Sequence, residues 1–134
     1  MTITVVVAGA ANGPVVVLDE PLSFWGGFSA ISGAVTDEHH AQAGTRLAGA
    51  IVVMESGRGS SSASSVLAES VRLGTAPAAI LLRRNDDILV TGALAARELY
   101  GTTVPIVVLG ESTYAEAIRS TSATLTDAGL LSFA

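Results

Sequence analysis

The stretch that decides the reading of this chain runs Ser56-Gly57-Arg58-Gly59-Ser60-Ser61-Ser62-Ala63-Ser64-Ser65. An apolar run, Gly49-Ala50-Ile51-Val52-Val53-Met54, precedes it. Behind it, Ala63, Val66, Leu67, Ser70 and Val71 recur at the spacing of one helical face. The pattern is strand, glycine-serine loop, helix. A loop so placed presents backbone N–H groups that have no partner within the helix. The helix dipole adds a positive field, so an anion is favoured there. Gly57 and Gly59 allow close backbone approach. Arg58 is the only full charge in the loop and can fork onto a carboxylate or phosphate. The serine hydroxyls are small donors and acceptors and, once activated, nucleophiles or bases. Small polar residues before a helix also serve as ordinary caps, and that plainer reading stands beside the functional one. The loop is not a phosphate-binding P-loop, because no Lys follows the second glycine. Nor is it a Gly-x-Ser-x-Gly nucleophile elbow.

Length and composition bound the rest. At 134 residues the expectation is one domain with a real core. Hydrophobic residues make up 49% and charged residues only 14%, a sparse shell that points to a surface covered by a partner. The formal net charge is -5, with seven Arg and no Lys, so no basic stripe exists for nucleic acid. No apolar run reaches the ~20 residues of a membrane span. Met1-Thr2-Ile3-Thr4 lacks the basic segment of a signal peptide, so the expected location is cytoplasmic. There is no cysteine, hence no disulfide and no thiolate-held metal on this chain.

Thr2 to Ala8 and Val15 to Leu18 read as strands, joined into a hairpin by a turn at Asn12-Gly13-Pro14. The only Trp and two of the three Phe then fall in Leu22-Ser23-Phe24-Trp25-Gly26-Gly27-Phe28, a segment that lines a pocket or pins a loop to the core. Ala34 to Thr36 reads as a short strand. Asp37-Glu38-His39-His40 gathers possible metal ligands. Adjacent side chains on extended backbone point apart, so the expectation is a solvated loop without metal. Gly74 closes the first helix. Strands are expected at Ala78 to Leu82 and Pro105 to Leu109, and helices at Ile88 to Tyr100 and Tyr114 to Ile118. Leu89, Ala93, Ala96, Leu99 and Tyr100 form one stripe on the longer helix. Late strands flank Asp127-Ala128-Gly129. The order gives an α/β barrel-like domain, with parallel pairing among the strands joined by helices.

Three motifs together carry a resemblance. They are Pro21-Leu22-Ser23-Phe24-Trp25-Gly26-Gly27, Gly57-Arg58-Gly59-Ser60-Ser61-Ser62 and Gly74-Thr75-Ala76-Pro77-Ala78-Ala79-Ile80. With Asp87-Ile88, Gly92-Ala93 and Val104-Pro105-Ile106-Val107, they resemble the swivel domain of the aconitase X family over roughly residues 2 to 110. One departure is His40-Ala41, where the family tends to His-Pro.

The resemblance implies a swivelling β/β/α domain spanning residues 1–134, in the form of a separate small subunit. It implies a heteromeric partner: a large catalytic subunit whose cysteines hold an iron–sulfur cluster, with no cofactor on this chain. It implies a dehydratase, a hydro-lyase that removes water from a small hydroxy acid, and inactivity of the chain by itself. The family's activities are cis-3-hydroxy-L-proline dehydration and mevalonate 5-phosphate dehydration. Abundant Ala, Gly and Arg without Lys read as a high-GC genome and lean toward the bacterial hydroxyproline activity.

Dehydration needs a base at one carbon and a Lewis acid at the leaving hydroxyl. The central motif has no His, Lys or Cys, so the base on this chain would be a serine alkoxide, stabilised by backbone N–H groups, the helix terminus and Arg58. Matched to the family motif, Ser60 is the expected catalytic residue, with Ser61, Ser62 and Ser64 as alternatives. Arg58, Gly59, Ser61, Ser62, Ser23, Trp25 and Gly26 are the expected substrate-binding residues. A second class of function stays open from the residues alone: a non-catalytic module that holds an anion or a partner's loop.

Overall fold

The apolar runs become the centre of a seven-stranded sheet. The computed structural model describes residues 2–134. Its strands are β1 (Ile3–Val7), β2 (Ala11–Val17), β3 (Ile51–Met54), β4 (Ala79–Leu82), β5 (Ile106–Leu109), β6 (Ser122–Leu125) and β7 (Leu131–Phe133). They lie in the order β1-β5-β4-β3-β2-β6-β7. The four central strands β5, β4, β3 and β2 are mutually parallel, and antiparallel strands close both sides. Helix α2 (Ala63–Leu73) crosses from β3 to β4, and α3 (Asp87–Tyr100) crosses from β4 to β5. Helix α4 (Glu111–Arg119) follows β5. Phe24–Gly27 forms one distorted turn, α1, in which Trp25 and Gly26 leave helical angles.

Strands β3 and β4 are fully buried on both faces, which is why they read as unbroken apolar runs. The strand period of two divides their side chains between two cores. Val52, Met54, Ile80, Leu82 and Ile106 meet Leu67 and Val71 of α2, Leu89, Ala93 and Ala96 of α3, and the aromatic pair Phe24 and Phe28. Ile51, Val53, Ala79, Leu81, Val107 and Leu109 meet Ala117 of α4 and Ala123, Leu125 and Leu131 of the closing strands. The fold is thus a mixed α/β domain, as the order of elements predicts.

The expected hairpin between the first two strands does not form. β1 pairs with β5, while β2 pairs with β3 and β6. Asn12-Gly13-Pro14 is strand, in register with Thr124, Ala123 and Ser122. Gly13 serves close packing here: a Cβ on it would sit 2.6 Å from the Gly49 carbonyl oxygen. The expected strand at Ala34 to Thr36 contributes only isolated bridges, Phe28 with Val35 and Ala34 with Arg46. The stripe on α3 ends at Ala96, leaving Leu99 69% exposed. The 37–44 loop is not uniformly solvated. His39 is exposed, but His40 is buried, with Nε2 3.0 Å from the Glu20 carbonyl and Nδ1 accepting the Gln42 N–H at 3.0 Å. That pairing puts the proton on Nε2 and makes His40 a neutral pin. Burial wins because two backbone partners satisfy both ring nitrogens.

Candidate functional site

The site lies beyond the carboxyl ends of the parallel strands, where open α/β sheets place their ligands. β3 ends at Met54 and the chain turns outward through Glu55 to Ser62 before α2 begins. Two neighbours shape this loop. On one side is the segment after β2: Gly57 forms a parallel bridge with Leu22, and the Arg58 N–H donates to the Leu22 carbonyl at 3.1 Å. On the other side is the start of α3, after β4. There the Asp86 carboxylate caps the helix, Oδ1 accepting from Ile88 N–H at 2.9 Å and Leu89 N–H at 3.2 Å.

Both glycines of the motif are demanded by this packing. A Cβ on Gly57 would lie 2.1 Å from Asp86 Oδ2. Gly59 has φ +117°, and a Cβ there would lie 2.6 Å from Ser23 Oγ. Arg58 stands between these two close contacts, and the positive φ of Gly59 is one that side-chain-bearing residues rarely adopt. Its side chain is 60% exposed, with Nη2 3.8 Å from Asp37 Oδ2.

Ser60 sits where the loop enters the helix. Its Oγ accepts the Ser62 N–H at 3.1 Å, and its carbonyl accepts from Ala63 N–H at 3.0 Å. The hydroxyl oxygen thus already faces a free N–H of the helix start, the feature that favours negative charge at this position. The same bond closes a local serine turn of a kind common before helices, so the plain and functional readings share one geometry. Ser61 and Ser62 are exposed, and Ser62 makes no side-chain cap bond. The Ser64 hydroxyl donates to the Ser61 carbonyl at 2.8 Å. That bond engages its proton locally.

The structure brings Arg58, Gly59, Ser60 and Ser23 together on one rim. The Ser23 hydroxyl donates to the Trp25 carbonyl at 2.9 Å and so holds the α1 turn. Trp25 is 58% exposed, and Gly26 has φ +81° with nothing beside it. These two extend the rim outward rather than closing a pocket. Sequence reasoning missed Asp86 and Asp37. Asp86 carries a signal, since Asn85-Asp86-Asp87 before a helix is a capping pattern. Asp37 carries none, because its meeting with Arg58 is tertiary.

The rim is an open surface. The crevice between the loop, Leu22, Phe24, Asp86, Ile88 and Leu89 has no room for a water molecule. The groove of about 470 Å³ between α2 and α3 is lined by neither Arg58 nor Ser60. A small-molecule site normally buries most of its ligand in several hundred cubic ångströms. The rim alone does not enclose a ligand of that kind. Nor do its residues fit an iron–sulfur cluster: the sequence has no cysteine, and among the described residues no three potential ligands converge. Among the described residues no helix is long and apolar enough to cross a membrane.

The family model described as the aconitase X swivel domain matches residues 1–131. The chain is 49% identical over 105 residues to the cis-3-hydroxy-L-proline dehydratase of Pseudomonas aeruginosa, covering 78% of this chain and 18% of that protein. It is 38% identical over 92 residues to the phosphomevalonate dehydratase small subunit of Methanothermobacter thermautotrophicus, covering 69% of this chain and 70% of that one. Among solved structures, the holo form of aconitase X from Thermococcus kodakaraensis superposes with a TM-score of 0.80 at 29% identity, covering 96% of this chain and 92% of that one. The chain spans about a fifth of the length of the first hydroxyproline dehydratases it matches.

Proposed function

The chain belongs to the aconitase X swivel-domain family, and from that premise we propose that it is the small subunit of a two-component dehydratase acting on cis-3-hydroxy-L-proline. Its task is to bring Arg58 and Ser60 to a site completed by a large subunit. The observation that carries the reading is the Ser60 hydroxyl oxygen, held at the start of α2 with its lone pairs toward the Ser62 N–H, beside the exposed Arg58.

In this reading the substrate carboxylate lies against the Arg58 guanidinium, whose paired N–H groups match a carboxylate edge. The carbon next to that carboxylate then faces Ser60. Ser60 in its alkoxide form takes the proton from this carbon, the C–H electron pair becomes the ring's C2=C3 double bond, and the hydroxyl on the neighbouring carbon departs, leaving as water with the proton Ser60 took. The enamine so formed tautomerises, the ring nitrogen's proton moving to C3, to give Δ1-pyrroline-2-carboxylate. The helix start lowers the cost of the alkoxide by offering backbone N–H groups to the charge. The iron–sulfur cluster proposed for the partner lies outside this chain, whose own residues bind the carboxylate and move the proton. The open rim supports the split, since one wall cannot exclude water from a developing carbanion.

A second reading keeps the architecture and changes the substrate to mevalonate 5-phosphate. The observation favouring it is the match itself: the chain is 38% identical over 92 residues to a phosphomevalonate dehydratase small subunit. Higher identity to the hydroxyproline enzyme sets the order of preference. The test is a reconstituted pair of this chain with its large subunit, supplied with each substrate in turn. Turnover of cis-3-hydroxy-L-proline with none of mevalonate 5-phosphate is expected; the reverse pattern would overturn the substrate assignment. Binding of the large subunit without turnover of either compound would favour a non-catalytic module.

A further inference from the structure

The 37–44 loop ends in a contact that the chemistry above does not use. Asp37 Oδ2 lies 3.8 Å from Arg58 Nη2, and the aspartate side chain is only 26% exposed while the arginine is 60% exposed. Asp37 is held from several directions. Its Oδ1 accepts the His39 N–H at 2.9 Å. Its carbonyl accepts the His40 N–H at 3.1 Å, and its own N–H reaches the Gly27 carbonyl at 3.4 Å. The neighbouring Thr36 N–H donates to the same Gly27 carbonyl at 2.9 Å. The loop is then pinned by buried His40 to Glu20. The Ala41 N–H donates to Glu20 Oε1 at 2.9 Å, and the Gln42 amide donates to Asp19 Oδ2 at 2.7 Å.

Arg58 is the opposite case. Its backbone is fixed by Leu22 and by the two flanking glycines, but its side chain reaches into solvent with a long arm. An exposed ion pair adds little to stability. Orientation is a different quantity. A long side chain is spread over many rotamers, and a fixed opposite charge near its tip narrows that freedom before substrate arrives. With Oδ1 occupied by the His39 N–H, only Oδ2 is turned toward Arg58.

We infer that Asp37 is a positioning residue for Arg58: a rigid carboxylate, braced by the His40-pinned loop, that holds one side of the guanidinium and leaves its remaining N–H groups aimed at an incoming carboxylate. The inference rests on the proposed role of Arg58 in binding substrate. It also gives the Asp37-Glu38-His39-His40 cluster a use that needs no metal. His40 and Glu20 act at one remove, by holding the loop.

The test uses Asp37→Asn, which keeps an oxygen for the His39 N–H and removes only the charge. The first arm measures the isolated chain by ¹⁵N NMR of the Arg58 guanidinium. Restricted rotation in the wild type and averaging in Asp37→Asn are expected; identical spectra would overturn the brace. The second arm measures turnover by the reconstituted pair. KM should rise about tenfold in Asp37→Asn, the scale of a mildly misplaced binding group, while kcat stays within about twofold. On an Arg58→Lys background the same change should cost less than about twofold, because the oriented fork is already gone. An unchanged or lowered KM would mean that Asp37 does nothing for Arg58 or competes with substrate, and would overturn the inference. A positive NMR result in a pair that turns over neither compound would leave the brace standing and sink the proposed function instead.

Discussion

At the residue scale, one exposed arginine stands between two closely packed glycines. Gly57 and Gly59 are packed so closely against the Asp86 and Ser23 side chains that a methyl group at either would make those side chains shift. Arg58 between them has a side chain that is 60% exposed. Arg58→Lys keeps the charge and the exposure but loses the planar fork. Activity of the reconstituted pair should fall about 10- to 100-fold in kcat/KM, the range of one hydrogen bond to a charged group. Assembly with the large subunit, followed by size-exclusion chromatography, should be unchanged. Near-normal turnover would show Arg58 to be an ordinary surface residue. The loop was legible in the sequence because glycine, charge and hydroxyl types follow one another locally. The partners of that loop were not. Asp37 lies 21 positions away from Arg58 and meets it only through the fold. The burial of His40 is hidden for the same reason: its backbone partners come from Glu20 and Gln42, and nothing in the eight residues 37–44 foretells a buried ring.

At the scale of elements, α2 and α3 pack so tightly that helix propensity gives the wrong sign for one position. Gly92 lies inside α3, where Ala is ordinarily better by about 1 kcal/mol. A Cβ at Gly92 would lie 2.7 Å from the Ser64 carbonyl oxygen and 3.0 Å from Ser64 Cα, both backbone atoms of α2. Overpacking of this kind costs typically 1–3 kcal/mol and outweighs the propensity gain. Gly92→Ala should therefore lower the denaturation midpoint, as followed by circular dichroism in urea. It should also disturb Ser60, which lies in the loop four residues before Ser64, at the entry to α2. A raised midpoint would show that the helices can part without cost. Element types were mostly legible because periods of 3.6 and 2 speak through local composition. Strand partners were not. Asn12-Gly13-Pro14 has the composition of a turn, yet the Gly49 backbone needs room beside Gly13 and β6 needs a partner. Those needs exist only once the sheet is assembled.

At the scale of the whole molecule, a well-packed domain presents its chemistry on an open rim. Two cores, one on each face of the sheet, account for folding without help from the site. The chain alone should therefore unfold in one cooperative transition, yet turn over no cis-3-hydroxy-L-proline. Adding the large subunit should restore turnover in proportion to complex formed. Turnover by the isolated chain would end the two-component reading.

The central claim is that this chain supplies the proton acceptor, and the most direct measurement is kcat/KM of the reconstituted pair carrying Ser60→Ala. The substitution removes one hydroxyl that accepts the Ser62 N–H. It should cost no more than about 1 kcal/mol of stability, the value of a lost cap. Turnover should fall at least ~100-fold, the low end for loss of a general base. The alanine variants of Ser61, Ser62 and Ser64 should retain activity within about tenfold on the same scale. If Ser60→Ala turns over substrate as the wild type does, the proton goes elsewhere and the account is wrong.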